Sequence, residues 1–443
     1  MTHIEMMTTS ELATKKILFA ALPAEGHVNP LTGLSKHLKE TGCDLRFYIS
    51  DIFGKKMNDL SIDYFPISKA ADLNSSNLLE RYPQLRTIND PIEKGKFYQK
   101  LYVKMAEGHI KDLQEIYQSF PFDLIVVNCT YPSIPLIRHI LHVPVLSMGV
   151  VPLAEASADL APYQSGLLPA EDEATREKYR LMRNENAVLF KEGIDQYAAL
   201  LSAYGVPYDR AEINDLFDFL IKRASLYLQI GSPGFEYKRI NQGQNIRFIG
   251  PLLPYSKPSS EKKWYDERLK KYTKVILVTQ GTIEADTTKL LEPTLQAFVD
   301  TDVLVVATTG GNGTQLLREK YPADNLIISD YIPYADVMAH ASVYITNGGY
   351  GGTLLSIINR LPLVAAGVHE GKNEICARIG YFKIGINLKT ETPSSEAIYD
   401  AVTEILNNKI YKHNTVKLAQ ELSTYDPIDL SVQYIKELLD KEG

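Results

Sequence analysis

VYITNGGYGGTLLSIINRLPLVAAGVHEGKNEICAR, residues 343–378, reads as strand, glycine loop, helix and second strand in quick succession. Residues 343–346 are all β-branched or aromatic and predict a short buried strand. Asn347, Gly348, Gly349, Tyr350, Gly351, Gly352 and Thr353 follow as a loop with four glycines in seven positions. Leu354, Leu355, Ile357 and Ile358 continue as an apolar helix that stops before Pro362. In this geometry backbone N–H groups and the positive end of a helix meet a phosphate, and glycine lets the ligand approach the chain. Taken alone, the loop reads equally well as a tight connection. The next strand is predicted at 363–366, and His369, Glu370, Gly371 and Lys372 place polar groups just beyond it. Ligands of open α/β sheets bind at that end of the strands.

A second stretch stands about 320 residues earlier. Residues 17–22 predict a strand, 23–30 a turn, and Leu31, Leu34 and Leu38 an amphipathic helix closed by Gly42. The turn holds Glu25, Gly26, His27 and Pro30, which puts His27 at the C-terminal edge of the first strand. A lone histidine there reads first as structural. Further strands are expected at 45–49, 122–127 (ending at Asn128) and 143–149. Residues 51–120 read as mostly helical or irregular.

The other signals bound the class. At 443 residues there is room for two full cores. A net charge of −7 argues against a nucleic-acid partner, which clustered Lys and Arg would bind. Cys43, Cys129 and Cys376 are too far apart for a zinc pattern and suit a reducing compartment. No apolar run approaches a membrane span. Glu5 and Glu11 near the start, with no signal core, predict a cytoplasmic protein. Residues 250–260 hold three prolines and serine without periodicity, a linker signal. Strands alternate with helices on both sides of it, the pattern of parallel sheets covered on both faces. The expected boundaries are 1–250 and 251–426, with 427–443 packing back on the first domain. Beyond the linker, the strand at 274–278 runs into Gln280, Gly281 and Thr282, and Tyr331 and Ile332 follow the strand at 326–328.

Together, Gly26-His27 with Pro30 and the glycine loop resemble the UDP-glycosyltransferases (glycosyltransferase family 1, the bacterial macrolide- and flavonoid-type enzymes). The resemblance implies an α/β protein of GT-B architecture: two doubly wound parallel-sheet, Rossmann-like domains facing across a cleft. The first would bind the acceptor and the second the nucleotide-sugar. It implies an inverting transfer of a hexose, glucose first, from a UDP-sugar to a hydroxyl of a small hydrophobic acceptor such as a phenolic or polyketide-like compound. His27 would be the general base, worth about 10²- to 10⁴-fold in rate. Gln280, Gly281, Thr282, Asn347, Gly348, Gly349, Gly351, Gly352 and Thr353 would hold the diphosphate. Tyr331 and Ile332 would hold the base, and Glu370 and Lys372 the sugar. Glu25, Leu153, Tyr163 and Leu167 are the expected acceptor contacts. No metal and no cofactor beyond the sugar donor is expected, nor a partner beyond a weak homodimer.

Three positions depart from the family pattern. Asn128 stands where an Asp pairs with the histidine, and its carbonyl is expected to accept the Nδ1–H. Asn347 replaces a phosphate-binding His and is expected to donate through its amide. Lys372 replaces a sugar-binding Gln. These departures keep two other readings open, a nucleotide-binding GT-B protein without transfer and a UDP-sugar 2-epimerase.

Overall fold

A computed structural model describes residues 12–442 other than 75, 89, 257–263 and 282–283. Two parallel sheets organise them. The first contains β1 (Lys16–Ala20), β2 (Asp44–Ile49), β3 (Asp63–Pro66), β4 (Leu124–Asn128), β5 (Val145–Gly149), β6 (Leu226–Ile230) and β7 (Ile246–Gly250), in the order β3-β2-β1-β4-β5-β6-β7. The second contains β8 (Lys274–Thr279), β9 (Val303–Thr308), β10 (Leu326–Ser329), β11 (Val343–Thr346), β12 (Leu363–Ala365) and β13 (Gly385–Asn387), in the order β10-β9-β8-β11-β12-β13. Every ladder between these strands is parallel.

The central strands are buried along their whole length, as in β4, β9 and β11. That burial is why they show as unbroken apolar runs rather than alternation. In each sheet the chain reverses direction of winding once, between β1 and β4 in the first and between β8 and β11 in the second. The loops leaving those strand pairs splay apart and open a crevice.

Several segments differ from expectation. Residues 23–30 are not a turn throughout, because a helix runs Glu25–Glu40 with Pro30 inside it. His27 therefore sits in the first helical turn. The glycine loop is shorter than expected, since the helix begins at Tyr350 and runs to Ile358. The residues 257–260 of the expected linker, and Thr282, lie outside the described residues. The residues just before them are held down. Tyr255 N–H donates to Thr32 Oγ1 at 2.9 Å, and Gly33 lets the Leu253 carbonyl approach where a Cβ would stand 2.5 Å from it.

The two sheets are joined by more than this segment. The helix Pro427–Glu442 packs on the helix Glu25–Glu40 and on β7. One apolar cluster includes Phe19 and Leu31 beside the first sheet and Leu354 and Ile375 beside the second. Between them lies a dry ionic seam. Arg378, 1% exposed, donates to Glu236 at 2.9 and 3.0 Å and to Glu374 at 3.0 Å. Its guanidinium lies 4.2 Å from the centre of the Tyr237 ring. Arg239 lies 4.0 Å from Glu236 and 3.7 Å from Glu155, all three side chains being buried. Removing one member of such a set strands the others without solvent. Arg378→Ala is expected to lower unfolding free energy by about 3–5 kcal/mol, measured by denaturant titration. A loss below about 1 kcal/mol would show that the seam is open to water.

Candidate active site

The glycine loop leaves β11 at Asn347. Gly348 takes φ +84, and a Cβ there would meet Cys376 Sγ at 2.5 Å, so both conformation and space require glycine. Gly349 is the N-cap of the helix Tyr350–Ile358, and no side chain caps it. The N–H groups of the first turn, at Tyr350, Gly351 and Gly352, therefore have no intrahelical acceptor. A Cβ at Gly349 or Gly351 would meet no atom within 4 Å among the described residues. Uncapped donors beside open space are the requirement for holding an anion.

Thr353 is not part of that set. Its N–H and hydroxyl both donate to the Gly349 carbonyl, at 3.0 and 2.9 Å. Gln280 is corrected similarly. Its buried amide donates to Asp286 O at 3.0 Å and accepts the N–H groups of Leu290 and Leu291 at 3.1 Å, so it organises the start of the next helix, Leu291–Phe298. Its backbone carbonyl accepts one hydrogen of Asn347 Nδ2 and leaves the second amide hydrogen for another acceptor. This bond ties the loops after β8 and β11 together across the reversal point. Gly281, at φ +81, packs against Asn347.

The remaining residues expected on the donor side stand around the same edge. Tyr331 is 77% exposed and its hydroxyl donates to Gly310 O at 2.8 Å, so the ring stands over the loop after β9. Ile332, the next residue, is buried. Lys372 and Glu370 pair at 2.8 Å, and the Lys372 Cβ packs near Gly348 and Gly367. Glu370, with φ +57, turns the chain into the helix Lys372–Tyr381.

On the first sheet, His27 and Asn128 meet at the matching place, the reversal between β1 and β4. Asn128 Nδ2 lies 3.1 Å from His27 Nδ1 and donates to Thr130 Oγ1 at 2.7 Å, while Asn128 Oδ1 accepts the Leu22 N–H at 2.9 Å. The expectation that the carbonyl faces the imidazole is thus overturned, because the Leu22 N–H claims it. Desolvation alone lowers His27 from 6.5 to about 4, although the residue keeps a partly exposed edge.

The expected acceptor contacts are distributed differently. Glu25 is held by Lys56 at 2.5 Å. Leu153, Tyr163 and Leu167 gather with Glu374 and Arg378 around a cavity of about 20 Å³. That volume holds a water and no acceptor. Tyr163 also feels Cys129, the neighbour of Asn128. A groove of about 610 Å³ lies elsewhere, between Lys36, Pro254, Arg360 and Tyr425, and contains none of the predicted residues.

Tyr350 decides whether the two crevices are one. Its hydroxyl, in the first turn after the glycine loop, donates to the carbonyl of Ile230 at 2.7 Å, and Gln229 Nε2 lies 3.3 Å from it. Ile230 is the last residue of β6. The start of the uncapped helix therefore stands against the C-terminal edge of the first sheet, the edge that also carries the imidazole. Sequence reasoning passed over Tyr350 as one member of a glycine loop. A large side chain among four glycines was the available signal.

The comparisons with known proteins point the same way. Residues 311–443 match the family model described as UDP-glucoronosyl and UDP-glucosyl transferase. That match lies in the second sheet's half of the chain, and the similarity to named UDP-glycosyltransferases runs over nearly its whole length. It is 27% identical over 426 residues to 4'-demethylrebeccamycin synthase of Lentzea aerocolonigenes, covering 96% of this chain and 99% of that one. It is 28% identical to UDP-glucosyltransferase 1 of Beauveria bassiana, covering 92% and 91%. Among solved structures, the calicheamicin glycosyltransferase CalG4 superposes with a TM-score of 0.75 at 18% identity, covering 96% and 98%, and shares the GT-B fold.

Two measurements follow from the site's geometry. Gly351→Ala fills open space at a helical position, where alanine is the better helix former by about 1 kcal/mol. It is expected to leave the melting temperature unchanged or raised while weakening UDP binding about tenfold, a change of about 1.4 kcal/mol, in calorimetric titration. Unchanged UDP affinity would place the diphosphate elsewhere. His27 and His109 are both held near 4 by burial. As pH falls below about 6.5, the unfolded chain takes up these protons first, so stability is lost between about 6.5 and about 4. In His27→Ala the slope of stability against pH in that window is expected to fall by one proton's worth.

Proposed function

We propose that this enzyme moves a hexose, glucose first, from a UDP-sugar to an oxygen of a small hydrophobic acceptor, inverting the anomeric carbon. Residues 1–250 would hold the acceptor and residues 251–426 the donor. The observation that carries the reading is the Tyr350–Ile230 hydrogen bond, which holds the first turn after the glycine loop against the C-terminal end of β6, in the sheet that carries His27. Relatives named as glucosyltransferases, and one named as a rebeccamycin-type synthase, support the sugar and the natural-product class of acceptor. Three buried free cysteines favour a reducing compartment such as the cytoplasm.

In this reading the acceptor oxygen lies against His27 and attacks the anomeric carbon from the face opposite the diphosphate. The bond to the diphosphate breaks, and charge grows on the leaving oxygen. The N–H groups of Tyr350, Gly351 and Gly352 and the helix behind them meet that charge already oriented, which is the condition under which fixed dipoles favour a transition state. Tyr331 offers an exposed ring for stacking the uracil. Glu370 and Lys372 stand where the sugar hydroxyls would lie, and their mutual pairing leaves lone pairs and hydrogens for both to use.

The test is His27→Ala assayed with UDP-glucose and a phenolic acceptor, following both UDP release and glucoside. Transfer should fall by about 10²-fold or more with UDP affinity unchanged. Full activity in that variant would remove His27 from the site.

A further inference from the structure

The hydrogen bonds behind His27 decide which ring nitrogen carries its proton. Asn128 is fully buried at the end of β4. A backbone N–H has only a hydrogen to give, so the Leu22 N–H, 2.9 Å away, must face the amide oxygen of Asn128. The Nδ2 group is thereby turned the other way, and its two hydrogens go to Thr130 Oγ1 and His27 Nδ1. Turning the amide over would set Nδ2–H against the Leu22 N–H, donor against donor. Nδ1 is consequently an acceptor, and the neutral imidazole carries its hydrogen on Nε2. Nδ1 being spent on Asn128, Nε2 is the nitrogen left for a ligand, and it has no hydrogen bond among the described residues.

A base with this wiring has no lone pair to offer. Nε2 is already protonated, and protonating Nδ1 would oppose N–H to N–H. The charged and titratable groups nearby do not change that. Glu25, on His27's own helix, is engaged by Lys56. Cys129 follows Asn128, and Tyr102 of the helix Pro91–Ser119 reaches Thr130. His27 feels only desolvation, with no anion to stabilise an imidazolium.

Resting on the transferase reading above, we infer that the acceptor meets His27 as an oxygen anion, a carboxylate or an ionised phenol, and that Nε2–H holds this anion instead of removing a proton from a neutral alcohol. The acceptor loses its proton to solvent before binding. Its oxygen then forms the bond to the anomeric carbon while the bond from that carbon to the diphosphate oxygen breaks. The electron pair leaves with UDP, which carries the additional negative charge, and no proton moves in the step. Acceptor acidity becomes the selecting property.

The experiment uses the whole enzyme with UDP-glucose and four acceptors of similar size: a nitrophenol ionised near neutrality, a simple phenol of pKa about 10, an aryl carboxylate and an aryl-alkyl alcohol. Log kcat/KM is measured from pH 5 to 10 as the readout. The acid limb is expected to move with the acceptor, by about three units between the two phenols. The carboxylate should show no such limb above pH 6, and the alcohol should not react. His27→Gln, which keeps an N–H donor but no base, should retain nitrophenol transfer within about tenfold of wild type where His27→Ala does not. Asn128→Asp should gain transfer to the alcohol, since a carboxylate accepting Nδ1–H frees Nε2. A limb fixed at one pH for both phenols, or alcohol transfer by wild type at the rate of the phenols, overturns the inference and leaves the transferase reading standing. Absence of UDP release with every acceptor overturns both.

Discussion

The guanidinium of Arg378, closed between Glu236 and Glu374, is the constraint on which the geometry of the cleft rests. Parallel sheets of this kind each offer a crevice where the winding reverses, and neither crevice holds a complete reaction. What makes them a pair is a fixed angle between the lobes. Apolar contact alone is non-directional and tolerates sliding. A buried planar cation with two carboxylate partners does not, because each partner must be met in its own plane. Tyr350 adds a second fixed point nearer the chemistry. The same helix, Lys372–Tyr381, carries Lys372 at its first residue and Arg378 six residues on, so the seam and Lys372 belong to one rigid element.

In the proposed transfer the chemistry is divided between the lobes by kind. The second lobe supplies oriented dipoles, from backbone groups that cannot titrate. The first supplies a titratable ring whose protonation is set by a neutral amide. Replacing a carboxylate by an amide at the end of β4 removes a charge and, because Leu22 fixes the amide's orientation, reverses the direction of the hydrogen bond as well.

Much of this was legible in the residues. The central strands announce themselves because full burial demands unbroken apolar runs, and the glycine loop and Gly26-His27 locate both crevices. The edge strands β3 and β13, Asp-Tyr-Phe-Pro and Gly-Ile-Asn, escaped notice because half-exposed edges carry no such run. The helix start at Tyr350 was placed late because glycine is a poor helix former, yet the first turn needs no i−4 hydrogen bonds and tolerates it. The side chains of Gln280 and Thr353 were assigned to ligand from their place in a motif, whereas each satisfies a backbone group nearby. The orientation of Asn128 had no local signal at all. It depends on an N–H 106 residues away in the chain.

The thiols carry a practical consequence. Cys43, Cys129 and Cys376 are buried and unbridged, and burial pushes Cys43 up to about 11 and Cys376 up to about 12. Reaction with alkylating reagents and oxidants proceeds through the thiolate. Burial and the scarcity of thiolate at neutral pH both work against maleimide dyes at these positions, so a single cysteine engineered onto either rim of the cleft is expected to take a fluorophore over a low background.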